Sequence, residues 1–366
     1  MPVYLNEKTK KYYCSFYYTD WQGKRLKKKK EGFTLARDAK AWEQDFLNKT
    51  AGNCEMKFSA LFEYFIADYK ARHRPTTATN RELALRKHAL PYFSDMPLSA
   101  ITPVMVRNWQ NSLITAGYKA TYQRSLNGYL KVMFNFAVKY YKLKENPVTL
   151  AGAIGAGKAG LINFWTVSEF YTFLDKLQTG EPLARRRLAE KVSLEAFLFA
   201  FNVLFYTGIR LGELLALTVS DYNPAAKSIS INKSYAYING KALILPPKTP
   251  KSKRIINIPA KLCTMFDTYI ARMYEPQSNE RLFPMLNKYN IAKTLKDTAA
   301  AAGLKPIRLH DLRHSHASMV INLNYSPKAL AERLGHEDVK VTLNIYGHLY
   351  PNKDSELAEK LNNLMP

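Results

Sequence analysis

The chain has 366 residues, enough for two or three domains, and 54 Lys and Arg against 30 Asp and Glu, a net charge of +24. That excess calls for a polyanionic partner, and with no lipid signal beside it nucleic acid is favoured over a membrane surface. Cys14, Cys54 and Cys263 are scattered and odd in number, which excludes a disulfide framework or a cysteine zinc site and suits a reducing cytoplasm.

Residues 1–52 read as a small β-rich module. Tyr12 to Tyr18 is aromatic and strand-forming, Asp20-Trp21-Gln22-Gly23 supplies a turn, and Lys24 to Lys30 gives a basic second strand or loop. Leu35, Ala39, Trp42 and Phe46 recur at helical spacing, the stripe of a helix that closes over the sheet. Lys27, Lys28, Lys29 and Lys30 either guard an edge or lie along DNA.

Residues 57–150 read as all helical. Phe58, Leu61, Phe62, Phe65, Ile66 and Tyr69 make one apolar stripe. Helices are then expected over Thr79–Tyr92, Thr102–Ala116 with Pro103 in its first turn, and Lys119–Tyr141. Arg72, Arg74, Arg81, Arg86 and Lys87 cluster around the first two helices as candidate phosphate contacts. Glycine-rich 151–163 reads as a flexible linker, and it lacks the Gly-Lys-Thr or Gly-Lys-Ser ending of a nucleotide-binding loop.

A third domain is expected over 164–366. Thr166 with Glu169 three later is a capping box, and Val192 to Phe205 reads as a buried helix. The run from Val192 to Ile209 is interrupted by Glu195 and Asn202, so it reads as core and not as a membrane span. Three strands follow, Ser228–Ala236, Ala242–Pro246 and Arg254–Ile258, with turns at Tyr237-Ile238-Asn239-Gly240 and at Lys248 to Lys253. Helices then resume. In the tail, Leu357, Leu361 and Leu364 form a stripe for docking either on a partner surface or on the chain's own third domain.

Five elements with chemical potential lie in this last half. They are Thr207-Gly208-Ile209-Arg210 with Glu213 three later, Lys248 in a basic turn, His310-Asp311-Leu312-Arg313, Gly335-His336 and Tyr346. Each alone is weak: an arginine after Thr-Gly is usually structural, and a tyrosine in an amphipathic helix is usually core. In this order and spacing they resemble the tyrosine recombinases, the phage and conjugative-transposon integrases. The resemblance extends to the N-terminal segments, which look like a three-stranded arm-binding module and a helical core-binding (SAM-like) domain. The implied fold is multidomain and mainly α with small sheets, ending in a mixed α+β catalytic domain.

The resemblance implies metal-free and ATP-free cutting and rejoining of DNA through a 3′-phosphotyrosine and a Holliday junction, with no cofactor. Arg210 and Arg313 would clamp the phosphate through bidentate, permanently charged forks. His336 would donate a further hydrogen bond, Lys248 would protonate the leaving 5′-oxygen, and Tyr346 would attack. A phenol of pKa about 10 costs roughly 4 kcal/mol to ionise at pH 7, and His310 is implied as the assisting base. Glu213 would orient Arg210, while Lys251 and Lys253 would touch DNA beside Lys248. The implied partners are attachment-site DNA with core and arm sequences, a homotetramer with exchanged C-terminal segments, and accessory bending or excision factors. Tyr350 is the rival nucleophile, but Gly347 and Pro351 argue that the helix ends before it. His314, His316 and His348 have no cysteine or carboxylate in ligand register, so local hydrogen bonds are expected of them and no metal. The competing readings are a type IB topoisomerase and a non-catalytic architectural DNA-binding protein.

Overall fold

The computed structural model describes residues 3–7, 9–19, 25–50, 55–157, 162–180, 193–247, 249–350, 361, 362 and 365. The turn at 20–23, Cys54, Lys248 and nearly all of the leucine-striped tail lie outside them. The chain divides into two compact units, Met1–Gly160 and Leu161–Pro366.

In the first unit, β1 (Val3–Asn6), β2 (Lys11–Thr19) and β3 (Arg25–Phe33) form an antiparallel sheet in the order β1-β2-β3, followed by helix α1 (Ala36–Thr50). Alternation along β2 sends Cys14 and Phe16 inward, and Trp42 and Phe46 of α1 pack on Phe16. The expected α1 stripe holds at Ala39, Trp42 and Phe46, but Leu35 precedes the helix and is exposed.

The helical module comprises α2 (Phe58–Arg72), α3 (Pro75–His88), α4 (Leu90–Phe93), α5 (Pro103–Thr115), α6 (Ala120–Tyr140) and α7 (Pro147–Ala151). The α2 stripe is buried from Phe58 to Tyr69, against Leu126, Leu130, Met133 and Phe134 of α6. Thr102 caps α5, accepting from the Met105 amide at 3.3 Å. The single helix expected over Thr79–Tyr92 is two, because Pro91 has no amide to continue the first. The first part of the expected 151–163 linker belongs to the bundle. Ala151 and Ile154 are buried in its core, and Gln110 Nε2 donates to the Gly152 carbonyl at 2.8 Å. Residues 158–161 lie outside the described chain.

The second unit opens with α8 (Val167–Gln178), whose capping box forms as expected: the Thr166 hydroxyl accepts from the Glu169 amide, and Glu169 accepts from the Thr166 amide. Helix α9 (Leu194–Thr207), apolar over most of its surface apart from Glu195 and Asn202, runs through the core. Short α10 (Leu211–Leu214) follows, then β4 (Tyr222–Asn223), β5 (Ser228–Ile231), β6 (Ser234–Ile238), β7 (Lys241–Leu245) and β8 (Arg254–Asn257). One antiparallel sheet has the order β4-β5-β8, and β6-β7 is a separate hairpin. Its turn sets Asn239 and Gly240 at φ 49° and 78°, the left-handed pair of a tight hairpin turn.

The strand expected over Ser228–Ala236 breaks into β5 and β6. Buried Asp221 takes a hydrogen bond from Asn232 Nδ2 at 3.0 Å and a close ion pair from Lys233, turning the chain between them. Helices α11 (Ala260–Ala271), α12 (Lys288–Ala301), α13 (Asp311–Asn322), α14 (Pro327–Leu334) and α15 (Val339–Tyr346) complete the unit.

Candidate active site

The site is built on α13, a helix buried on nearly all sides although it carries Asp311, Arg313, His314, Ser315, His316 and Ser318. Each of these polar groups needs a partner once removed from water. Asp311 takes the Arg308 amide at 2.7 Å and the Arg308 guanidinium at 2.7 Å, which fixes the start of the helix. Ser315 accepts from the Trp165 amide at 2.8 Å.

Arg313 is 3% exposed, and its fork spans two other elements. Nη1 donates to the Gly208 carbonyl at 2.8 Å and Nη2 to the Leu334 carbonyl at 2.7 Å. Gly208 closes α9 at φ 66°, and a Cβ there would meet His316 Cδ2 at 2.5 Å, so this close approach requires glycine. His316 must donate from Nδ1 to the Phe205 carbonyl at 2.8 Å, leaving Nε2 to accept from Arg333 Nε at 2.9 Å. That tautomer is neutral, and burial followed by the Arg333 charge pushes its pKa down to about 3.

Arg210 stands just before α10 with its side chain 39% exposed. Glu213, buried, accepts from the Arg210 amide and from Nη1, both at 2.9 Å, and is gripped from the other side by Arg254 at 3.0 and 3.3 Å. Burial alone would raise the Glu213 pKa, but the Arg254 hydrogen bonds and the two guanidinium charges hold it below the usual range. Arg210 and Arg254 therefore pair with one carboxylate, and Arg313 feels the charge of the same group. Burial first, then the Arg210 charge, push the Arg313 pKa down to about 9, which leaves it a cation at neutral pH. Such an uncompensated positive pocket stabilises an anion.

Two imidazoles border it. His310 precedes α13, and partial burial with the Arg313 and Arg210 charges lowers its pKa. His336 follows α14, its Nδ1 2.8 Å from the buried Thr342 hydroxyl. Burial and the same arginines push it down to about 4, so it is neutral at pH 7.

Tyr346 ends α15 and is 1% exposed, packed among Ala317, Val320, Ile321, Leu330 and Leu334. Its hydroxyl lies 2.7 Å from His314 Nδ1. Burial raises the phenol to about 12 against the lowering pull of Arg313 and Arg210. Gly347–Leu349 is a 3-10 turn and Tyr350 is extended, so the α-helix stops between the two tyrosines.

The second unit thus gathers Arg210, Glu213, His310, Arg313, His336 and Tyr346, while Lys248 lies outside the described residues. Lys251 donates to the Glu337 carbonyl at 2.7 Å, and Lys253 is exposed. Sequence reasoning missed Arg254 and the bond from His314 to Tyr346. The sole advance signal for His314 was its position four after His310, on one helical face.

The candidate DNA contacts of the first unit are divided by the fold. Register pairs Lys27 with Tyr17 and Lys29 with Ser15 on the sheet face away from α1, where Lys27 lies 5.7 Å from the Tyr17 ring and Lys29 4.8 Å from Tyr13. Lys28 and Lys30 pair with Phe16 and Cys14 on the α1 side, and Lys28 lies over Phe46. Arg72 is paired with Asp68, and Arg86 with Glu63 and Glu82. Arg81 stacks between Tyr69 and Tyr129, Arg74 immediately precedes α3, and Lys87 is exposed.

Comparison with known proteins places three segments of the chain. Residues 171–353 match the phage integrase family, 57–114 a phage integrase N-terminal SAM-like domain, and 2–50 an arm DNA-binding domain. The ICEBs1 integrase of Bacillus subtilis is 28% identical, over 85% of this chain and 84% of its own. The fold is similar to that of the Tn1549 transposon integrase solved with transposon right end DNA, at TM-score 0.68 and 19% identity, covering 85% of this chain and 100% of that one. A lambda integrase tetramer bound to a Holliday junction gives TM-score 0.57 at 16% identity, covering 92% of this chain and 96% of that one. With a family match over half of its length, this chain belongs to the phage integrase family, the tyrosine recombinases that cleave and rejoin DNA.

Proposed function

We propose that this chain recombines DNA at specific sites on behalf of a mobile element, with Tyr346 as nucleophile and a 3′-phosphotyrosine as the stored intermediate. The observation that carries the reading is the pocket of Arg210, Arg313 and Arg254 around the single carboxylate of Glu213, beside a tyrosine. A scissile phosphate supplies the missing negative charge there. Arg210 and Arg313 hold its non-bridging oxygens as charge builds in the transition state. Neutral His336 accepts from Thr342 at Nδ1 and donates from Nε2. His310 assists loss of the phenolic proton, and Lys248 protonates the departing 5′-oxygen. Because the phosphoryl energy stays in the tyrosine link, rejoining needs no ATP.

Lys27, Lys29 and the tyrosines beside them suit the arm sequences, while Arg74, Arg81 and Lys87 of the bundle, with Lys251 and Lys253, suit the core site. Four copies act on two duplexes, a stoichiometry in keeping with the lambda integrase tetramer bound to a Holliday junction. The striped tail is exchanged between neighbours, in a bacterial cytoplasm, with accessory bending or excision factors.

Sequencing the DNA junctions made in cells defines the attachment sites. On those sites, purified protein is expected to yield two-site recombinants. Supercoil relaxation without recombinants would favour a topoisomerase, and binding with neither would leave an architectural protein.

A further inference from the structure

We propose that His314 positions the nucleophile, accepting the Tyr346 hydroxyl through Nδ1 and so locking α15 to α13. The inference rests on Tyr346 being the attacking residue. The phenol ring lies in an apolar cluster and its hydroxyl is out of reach of water, so one unmade hydrogen bond there is costly. Among the described residues, the group that meets the hydroxyl is His314, at 2.7 Å with the two rings tilted 64°.

Because α13 also carries Arg313 one residue earlier, a single rigid helix indexes both the phosphate clamp and the phenol. A shift of α15 relative to α13 would break that registry. The His310 ring stands edge-on to His314 with centroids 5.0 Å apart, a second ring contact on the same imidazole. Burial, then the neighbouring His310 and the charges of Arg308 and Arg313, push the His314 pKa down to about 4 against the opposite pull of Asp311. The ring is therefore neutral at pH 7 and can accept a hydrogen, while the phenol stays protonated until attack begins.

The acceptor geometry gives a sharp test. An asparagine Oδ1 falls near the position of Nδ1, whereas a glutamine amide reaches toward Nε2. Covalent adduct formation is measured on nicked attachment-site DNA, with ordinary oxygen or with sulfur as the 5′-bridging atom, alongside DNA affinity and thermal melting. His314→Gln and His314→Phe are expected to slow adduct formation roughly tenfold to a hundredfold at unchanged affinity. His314→Asn should recover most of the rate. The sulfur leaving group, which needs no proton, should not rescue the slow variants because their defect lies on the nucleophile's side. If His314→Phe melts early, the asparagine and glutamine pair decides alone. Wild-type rates in His314→Gln, equal losses in Asn and Gln, or rescue by sulfur would each overturn the proposal. Absence of any adduct from the wild-type protein would overturn it together with the recombinase reading.

Discussion

At the scale of the residue, the site depends on what each side chain can donate. Arginine offers two parallel donors where lysine offers a point charge, and Arg313 already uses its fork to tie the end of α9 to the end of α14. Arg210→Lys and Arg313→Lys should each cut cleavage by about 100- to 1,000-fold, the usual loss for a preorganised transition-state donor, with a far smaller effect on DNA affinity. Single-turnover cleavage beside equilibrium binding checks this, and equal losses in both would mean ordinary phosphate gripping. His316 makes a pH prediction. Its pKa is held near 3 by burial and Arg333, against an ordinary value of 6.5. As pH falls below about 6.5 the unfolded chain takes up a proton that the folded one refuses. The stability conferred by the neutral ring is full above that pH and is lost toward pH 3, by at most about 1.4 kcal/mol per pH unit. Urea melts at pH 7.5 and 5 should show the wild type losing stability, and His316→Asn losing less over the same interval.

At the scale of the element, the strong periodic signals were legible and the tertiary ones were not. The stripe from Phe58 to Tyr69, the Thr166 capping box and the Asn239-Gly240 turn formed as the residues dictate, because each is a local effect. The break between β5 and β6 was hidden because Asp221, more than ten residues away, draws in Asn232 and Lys233. Arg254 was hidden for the same reason: it acts only where β8 passes Glu213. The order of the chain singles out His310, Arg313, His336 and Tyr346 as candidates. The role of His314 needed α15 to be laid against α13. The lysine run was read as one unit, and the sheet register splits it between two faces. Lys27→Ala with Lys29→Ala is therefore expected to weaken binding to arm-sequence DNA more than Lys28→Ala with Lys30→Ala does. Gel-shift titration of the two pairs checks it, and equal losses would deny the open face its role.

At the scale of the molecule, a charge of +24 makes association with DNA steeply dependent on salt. Residues 1–52 carry twelve Lys and Arg against six Asp and Glu. Their deletion should flatten the plot of log affinity against log salt and abolish dependence on distal arm sequences, while cleavage at the core site persists. An unchanged requirement for distal DNA would contradict an arm-binding role. If Tyr346 forms the covalent link to DNA, mass spectrometry of the trapped adduct will find it there. Wild-type protein is incubated with nicked attachment-site DNA, the adduct is digested, and the nucleotide-bearing peptide is sequenced. The modification is expected on Tyr346, absent from Tyr346→Phe and retained in Tyr350→Phe. A nucleotide on Tyr350, or an adduct that survives in Tyr346→Phe, would contradict the account.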